Sequence, residues 1–261
     1  MMQALWVSKT GLSAQNTRLS TIANNLANAA TVGFKRDDAQ FEDLLYQIRA
    51  QPGASSSQNT QLPSGIQLGT GVRVVGTTKQ FTEGNLQVTS KPLDIAINGR
   101  GFFQVLMPDG TTAYTRNGEF QVNSNGEIVT SGGMQVQPTI SIPQNAQTVT
   151  ISKDGIVEAQ VAGQAAPQQV GQIQLADFIN PTGLQAIGAN MYLETAASGS
   201  PQQGSPANTG FGSVEQGSLE ASNVDVVEEM VNMITTQRTY EMNSKVIATA
   251  DQMLQFITQT L

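Results

Sequence analysis

The side chains in this sequence that could carry out acid–base chemistry are carboxylates. Two adjacent pairs, Asp37-Asp38 and Glu42-Asp43, are the densest acids outside the C-terminal segment. Paired carboxylates can hydrolyse glycosidic bonds without histidine, so a histidine-free glycosidase is one hypothesis. The pairs follow a helical pattern, however, and a solvated helix face is the favoured interpretation of both. We therefore predict no catalytic residues and no enzymatic activity.

Other kinds of chemistry lack the residues that they need. Histidine and cysteine are both absent, which excludes disulfides, thiolate nucleophiles, imidazole bases and the common zinc sites. Gly99-Arg100-Gly101 begins a dinucleotide-binding pattern, but Gln104 occupies the position of its last glycine. Residues 121–126, QVNSNG, resemble a calcium loop but start with glutamine where an acid is needed. We expect a hairpin turn there, and no cofactor, metal or small-molecule substrate for the chain.

The charge of the chain argues against a nucleic-acid partner. Its 261 residues allow one or two domains, and its net charge is −7 with 13 basic residues. Nucleic-acid binding depends on basic side chains that neutralise phosphates, so this partner is not expected. Residues 1–34 carry Lys9 and Arg18 but no acid, whereas acids predominate after residue 220. The two ends therefore suit pairing with each other.

The first residues do not have the pattern of a cleaved signal peptide. Their longest apolar run is Ala4-Leu5-Trp6-Val7, whereas the apolar region of a signal peptide spans about 7–15 residues. No stretch reaches the roughly 18 apolar residues of a membrane span. We expect a chain that stays in the cytosol or leaves the cell without a cleaved signal.

Apolar residues recur every seven positions at both ends of the chain. Near the N-terminus they are Leu5, Leu12, Leu19 and Leu26, with Ile22 and Ala29 beside them. Near the C-terminus they are Val226, Met233, Tyr240, Ile247, Leu254 and Leu261, and Val227, Met230 and Ile234 widen that stripe. This spacing predicts two long helices that pack as a coiled-coil-like layer, although helices on a globular core share the signal. Trp6 is expected to pack in this layer rather than to contact a membrane.

Capping residues suggest where these helices begin and end. Gly33 follows the first apolar pattern and could adopt the left-handed conformation after a helix C-terminus. Ser222, with Asp225 three residues later, resembles a capping box at the start of the second helix.

Turn-forming pairs punctuate the middle of the chain. They are Asp109-Gly110, Asn117-Gly118, Asn125-Gly126 and Gly132-Gly133, followed by Lys153-Asp154-Gly155. Such pairs between short β-prone runs are a strong hairpin signal. The predicted fold class is therefore α+β, with N- and C-terminal helices pairing as a coiled-coil-like layer and a central antiparallel β domain.

Composition divides the chain into three predicted parts. Residues 1–35 plus 218–261 are a terminal helical assembly domain, and residues 76–196 are a β-rich outer domain. Residues 36–75 plus 197–217 are linkers or an extended segment, because glycine, proline, serine and glutamine dominate much of them.

Three asparagines lie at the end of the first helical pattern. Asn24 and Asn25 lie four and three positions before Asn28, so the three are expected to line one strip of the helix. A buried amide without a partner costs about 1–3 kcal/mol, and polar residues in helix interfaces fix register. We expect the strip to set register between copies of the chain. The alternative is that all three are solvent-exposed.

Both helices keep apolar or small faces beyond those needed to pair with each other. Ala23, Ala27 and Ala30 would let a further backbone approach closely. Contacts between unlike surfaces that do not close a ring produce helical assemblies. We therefore predict a helical homopolymer whose wall is built from the paired termini, with the β domain facing outwards.

Long motifs along the whole chain resemble one protein family. Residues 23–36, ANNLANAATVGFKR, resemble the N-terminal signature of the flagellar axial family, which comprises rod, hook and hook-associated proteins. Residues 219–247 resemble its C-terminal signature, including Gln237, Arg238, Tyr240 and Asn243. Residues 94–133 resemble the β domain shared by rod and hook members. The resemblance implies a structural subunit that self-assembles.

One segment distinguishes members within the family. Residues 41–75 resemble an extended segment of the distal-rod members, which proximal rod subunits and hook protein lack. We expect this segment to brace neighbouring subunits and to stiffen the rod, with Gly53 and Gly65 at turns that need unusual backbone angles. The predicted stiffening residues are Tyr46, Gln51, Pro52, Gly53, Leu62, Pro63 and Gly65.

The resemblance also implies a location and a set of partners. It implies unprocessed export by the flagellar type III apparatus, assembly into the basal-body rod across the periplasm, and transmission of motor torque to the hook. The implied partners are further copies of the chain, proximal rod proteins, hook protein, the P- and L-ring bushing proteins and the export apparatus.

Helix periodicity and the C-terminal signature together define a predicted self-assembly surface. It comprises Leu5, Trp6, Leu12, Leu19, Ile22, Asn24, Asn25, Leu26, Asn28, Val226, Met230, Met233, Ile234, Gln237, Tyr240, Asn243, Ile247 and Leu254. A proximal rod or hook-family subunit is the alternative within the family. A secreted β-rich adhesin or binding module is the alternative from another class.

Overall fold

A computed structural model of the chain describes residues 2–52, 55–57, 60–61, 64–163 and 166–260. It contains the helices α1, Met2–Ala27, and α2, Val226–Thr260, and a short 3-10 helix at Pro181–Gly183. Two compact units can be distinguished. The helical unit contains α1, residues 37–78 and residues from Asp225 onwards; the β unit contains residues 28–36 and 79–224. Among the described helices, none is both long and apolar enough to cross a membrane.

In the part of the chain that the structure describes, twenty-two strands, β1–β22, lie between the two helices in sequence. The first eleven are Asp37–Asp43, Gln47–Ala50, Ser55–Ser57, Thr60–Gln61, Ile66–Leu68, Val72–Lys79, Leu86–Val88, Ile95–Asn98, Phe102–Leu106, Thr112–Thr115 and Phe120–Val122. The others are Ile128–Thr130, Gln135–Gln137, Ala146–Ile151, Ile156–Val161, Gln168–Gln172, Leu175–Asp177, Gln185–Gly188, Met191–Leu193, Gln202–Gly204, Ser213–Gln216 and Ser218–Glu220.

The helical unit confirms the predicted pairing of the two ends. Asn25, near the end of α1, contacts Glu229 in the first turn of α2, and Gly11 lies against Asn243 further along α2. The helices therefore run antiparallel. Three two-stranded pairs accompany them: β1 with β6, β2 with β5 and β3 with β4.

The β unit has an antiparallel core. Its nine-stranded sheet runs in the order β11-β12-β13-β9-β10-β19-β18, with β17 pairing both β9 and β20. The strands β14, β15 and β16 form a second sheet, and β21 and β22 pair with β8 and β7. The side chains at its centre include Ile95, Phe103, Val157, Ile173 and Leu175. The structure thus confirms a central antiparallel β domain and the α+β class.

The predicted hairpin turns are mostly found. Gly110, Gly126, Gly133 and Gly155 all have positive φ, and each lies between two paired antiparallel strands. Asn117-Gly118 is an exception, because β10 and β11 on either side of it do not pair. A Cβ at Gly118 would lie 1.6 Å from the carbonyl oxygen of Ile95, so close packing explains this glycine.

Both helix boundaries differ from the prediction. Helix α1 ends at Ala27, so Asn28 lies beyond it and Gly33, with φ of 69°, is not its C-terminal cap. Helix α2 is capped by Asp225, whose Oδ1 accepts from the amides of Val227 at 2.9 Å and Glu228 at 3.2 Å. Aspartate is a strong N-cap because it pairs amides that have no partner within the helix. The predicted cap at Ser222 is wrong.

The two acid pairs lie on a strand and not on a helix face. Neighbouring side chains of β1 point to opposite sides, so Asp37 and Asp38 cannot act together on one substrate. Glu42 forms an exposed ion pair of 2.8 Å with Arg73. Among the described residues, no group of three or more acids could hold a metal ion.

The compact units and the predicted three-part division place several segments differently. Residues 36–75 were predicted to be a linker or an extended segment; from Asp37 onwards they carry β1–β5 and part of β6 and belong with the helices. The short stretch 28–36, predicted as part of the helical domain, belongs to the β unit.

Candidate assembly site: the helix pair and its polar junctions

Small and polar residues line the contact between the two helices. Glu229, Thr236 and Ala250 of α2 are buried, and half-buried Asn243 continues their seven-residue spacing. A Cβ at Gly11 of α1 would lie 3.2 Å from the Asn243 amide nitrogen, so the helices approach closely there. Close approach at Gly11 and the hydrogen bond between Asn25 and Glu229 therefore both join the two helices.

The large apolar residues of the predicted seam are incompletely buried. Ile22 is buried, with 5% of its surface exposed. The half-buried members are Leu5, Leu12, Leu19, Leu26, Met233, Ile247 and Leu254. Val226, Tyr240 and Trp6 are exposed, the last with Lys9 Nζ 5.2 Å from its ring. One helix pair therefore does not bury its own apolar surface.

Exposed apolar side chains recur along α2 in two groups, one on either side of the mainly polar residues 235–241. At about 100° per residue, the first group faces away from the buried Glu229, whereas Val246 and Met253 of the second group lie nearer the side of the buried Ala250. The set as a whole covers more than one side of α2. We call it the outer stripe; its members are Val227, Met230, Val231, Ile234, Met242, Val246, Met253 and Phe256, each between 47% and 71% exposed. Clusters of exposed apolar side chains are typical of protein interaction sites.

Asn25 forms the first polar junction, and its amide is almost completely buried. Its Nδ2 donates to the Asp37 carbonyl at 2.8 Å, and its Oδ1 accepts from the Asp37 amide at 2.9 Å. Nδ2 also lies 3.3 Å from Glu229 Oε1. One side chain therefore joins α1, β1 and α2 within a single chain.

The other two asparagines of the predicted strip have different surroundings. Asn24 is exposed on α1, and half-buried Asn28 accepts a hydrogen bond from Thr31 Oγ1 at 3.2 Å beyond the helix. The three amides therefore do not form one helical strip.

A buried ionic cluster forms the second junction, inside the β unit. Lys35 Nζ lies 2.6 Å from Glu220 Oε1, and Arg116 Nη1 lies 3.3 Å from Glu220 Oε2. Lys35 also donates to the Thr82 carbonyl at 2.7 Å. Burial lowers the pKa of Lys35, while the carboxylate of Glu220 opposes that shift. Burying ions is costly unless they are paired. The arrangement in which Lys35 and Arg116 both pair with Glu220 is therefore favoured over arrangements that separate them.

Asparagines complete this second junction. The Asn223 amide accepts from the Arg36 amide at 2.8 Å and donates to the Gln80 carbonyl at 2.8 Å. Asn190, in a turn with positive φ, donates to the Val32 carbonyl at 2.8 Å. Sequence reasoning missed the functions of Lys35, Glu220 and Asn190. The only sequence signal for the first two is that they lie inside the family signatures.

We call residues 37–72 the bracing segment, and its described part contacts α1 at several positions. Asn25 binds Asp37, Thr10 Oγ1 accepts from the Val72 amide at 3.4 Å, and Gln3 Nε2 donates to Gln47 Oε1. The crossing at Thr10 is close, because a Cβ at Gly71 would lie 2.2 Å from Thr10 Oγ1.

The predicted stiffening residues fall partly within this segment's described portion. Tyr46 and Gln51 are exposed, and the Tyr46 ring packs 3.5 Å from the position of a Cβ on Gly69. Gly65 does not have the positive φ that was predicted for it. It is required by close packing, since a Cβ there would lie 2.2 Å from the Ala50 carbonyl and 2.7 Å from Pro52. Gly53, Leu62 and Pro63 lie outside the described residues.

Comparison with known families matches these same regions. The family model described as flagella basal body rod protein matches residues 5–35, which span α1 and the Lys35 side of the ionic cluster. The flagellar basal body rod FlgEFG protein C-terminal model matches residues 215–260, which contain Glu220, Asn223 and α2. The flagellar hook protein FlgE/F/G D1 domain matches residues 96–159 of the β unit.

Whole-chain relatives agree with these matches. The flagellar basal-body rod protein FlgG of Buchnera aphidicola (subspecies Baizongia pistaciae) is 53% identical over 98% of both chains. FlgG of Caulobacter vibrioides is 52% identical over 99% of both chains. FlgG of Bacillus subtilis is 36% identical over 98% of this chain and 97% of its own. The chain therefore belongs to the FlgG family of flagellar basal-body rod proteins.

Proposed function

We propose that this structural subunit of the distal rod of the flagellar basal body polymerises helically through its paired terminal helices. The observation that carries the proposal is the outer stripe, eight apolar side chains of α2 that are each about half exposed or more. Burying such a stripe against further copies of the chain would supply the hydrophobic driving force for assembly. Contacts between unlike surfaces would extend the assembly without closing it.

The rod so formed transmits motor torque to the hook as a stiff driveshaft. Close-packed helices resist bending and twisting because protein interiors deform little. The bracing segment supports this function by holding α1 at Asn25, Thr10 and Gln3. Its exposed apolar residues Leu45 and Ile48 are available to contact neighbouring subunits. The region from Tyr46 to Gly65 is therefore proposed to stiffen the rod.

The remaining partners follow from the position of a distal rod in the basal body. They are proximal rod proteins below, hook protein above, the P- and L-ring proteins around the rod, and the type III apparatus that exports the subunit without a cleaved signal. Relatives are described as flagellar basal-body rod proteins, which supports this position. We propose no enzymatic activity.

A charge placed in the outer stripe tests the proposal. Ile234 is 47% exposed on α2, whereas Ile179 is 78% exposed in the β unit. We expect Ile234→Asp to abolish polymerisation of purified subunit and motility of cells that depend on it. Each aspartate buried in a subunit contact without a partner would oppose assembly.

The matched control is Ile179→Asp, which makes the same change outside the helices and is expected to leave polymerisation intact. Circular dichroism of both soluble subunits should match the wild type. Normal polymerisation of the Ile234→Asp subunit would refute the proposal that the outer stripe builds the rod.

A further inference from the structure

Methionine is concentrated among the exposed residues of the outer stripe. The chain has nine methionines. Met230, Met242 and Met253 are 51%, 59% and 57% exposed. The other methionines with described side chains are half-buried or buried, namely Met107, Met134, Met191 and Met233. Among the methionines with described side chains, those of the outer stripe are therefore the most accessible to a reagent in solution.

These thioethers are open to a specific modification. A hydroperoxide such as hydrogen peroxide transfers one oxygen atom to the methionine sulfur, forming a sulfoxide. The sulfur loses two electrons, the O–O bond breaks, and the peroxide is reduced to water. The product is polar, whereas the thioether was apolar and adaptable in packing.

We propose that Met230, Met242 and Met253 are sites of oxidative modification, and that their sulfoxides prevent an unassembled subunit from joining the polymer. The proposal rests on the proposed function, because it requires the outer stripe to be covered by neighbouring copies. Covering three sulfoxides without hydrogen-bond partners would oppose that contact. Once a subunit is assembled, the same contact would shield the sulfurs, so oxidation would select against free subunits only.

The first measurement is oxidation at each site. Soluble subunit is treated with hydrogen peroxide, and sulfoxide at each methionine is followed by peptide mass spectrometry. We expect Met230, Met242 and Met253 to oxidise faster than buried Met191, by about tenfold or more. In polymers treated in the same way, the three sites should be protected. Equal rates at all methionines, or no protection in polymers, would overturn the proposal.

The second measurement is assembly after oxidation. Untreated and peroxide-treated subunits are compared by sedimentation of polymer across a range of subunit concentrations. Oxidation should raise the concentration needed for assembly by about tenfold or more, since one unpaired buried polar group already accounts for such a factor. The triple variant Met230→Leu, Met242→Leu, Met253→Leu should assemble equally well with and without peroxide. Leucine preserves apolar volume and has no sulfur to oxidise.

A control and three outcomes separate this proposal from the proposed function. The double variant Met107→Leu, Met134→Leu leaves the outer stripe unchanged and should remain peroxide-sensitive. If untreated wild type forms no polymer, the proposed function fails and this proposal falls with it. If oxidised wild type assembles normally, this proposal alone is overturned. Loss of assembly in the peroxide-treated triple variant would also overturn it, because the damage would then lie elsewhere.

Discussion

The side chain of Asn25 joins three elements of the helical unit, α1, β1 and α2. Its amide donates to and accepts from the Asp37 backbone and also contacts Glu229. Because an amide carries both a donor and an acceptor, it can pair both groups of one peptide unit in the way that another backbone would. Asparagine at this position fixes where β1 begins relative to α1.

Replacing Asn25 by alanine should destabilise the helical unit. The Asp37 amide and carbonyl would lose their partner, and the expected loss is about 1–3 kcal/mol in the free energy of unfolding. Urea denaturation followed by circular dichroism would measure it. Asn16→Ala, at an exposed position of the same helix, is the control and should change stability by less than about 0.5 kcal/mol. Equal effects of the two substitutions would contradict the assigned function of Asn25.

Sequence reasoning anticipated a special function for these asparagines but not its form. The spacing of Asn24, Asn25 and Asn28 predicted a strip, since it assumed that α1 continues past Ala27. The helix ends earlier, and the buried amide binds the backbone of its own chain. The buried ionic cluster also could not be predicted from sequence patterns, because Lys35 and Glu220 are 185 positions apart. Only the folded β unit brings them together.

The bracing segment is the part of the chain where the predicted and the observed secondary structure differ clearly. DDAQFED, residues 37–43, has acids that suggested a helix face, yet it forms strand β1. The strand depends on pairing with β6 and on Asn25, and neither contact is local in sequence. Strand formation depends on such neighbours more than on intrinsic preference. The terminal helices were predictable because their repeats are local.

Gly71 should be a sensitive position of the bracing segment. Its φ is 122°, and a Cβ would lie 2.2 Å from Thr10 Oγ1. Gly71→Ala should therefore both strain the backbone and separate the segment from α1, at a cost of about 1–3 kcal/mol for the strain alone. Hydrogen exchange of α1 amides around Thr10 should become faster.

Gly76, in strand β6 shortly after Gly71, provides the matched control. No atom lies within 4 Å of a Cβ built there, and its φ is not in the left-handed region. Gly76→Ala should leave exchange near Thr10 unchanged, because the substitution meets no steric obstacle. If both alanine variants had the same effect, the contact at Thr10 would not be what holds α1.

The two units of the chain differ in how completely their apolar side chains are buried. The β unit has two buried apolar clusters and a paired ionic cluster. The helix pair, in contrast, leaves the outer stripe exposed. The leucines of the predicted seam are only half-buried, namely Leu5, Leu12, Leu19, Leu26 and Leu254. A subunit with this distribution is expected to gain much of its helical stability from neighbouring copies, which is what the proposed polymer requires.

Because the chain has no cysteine, single cysteine variants can test whether neighbouring copies cover the outer stripe in the rod. Single variants Ile234→Cys and Ile179→Cys place one thiol in the outer stripe or in the β unit, and maleimide labelling is compared between soluble subunit and assembled rods. We predict that the thiol at position 234 is labelled in the soluble subunit and protected in rods. The thiol at position 179, the control, should be labelled in both states. Equal labelling of position 234 in both states would show that the outer stripe is not covered on assembly, and would contradict the proposed function.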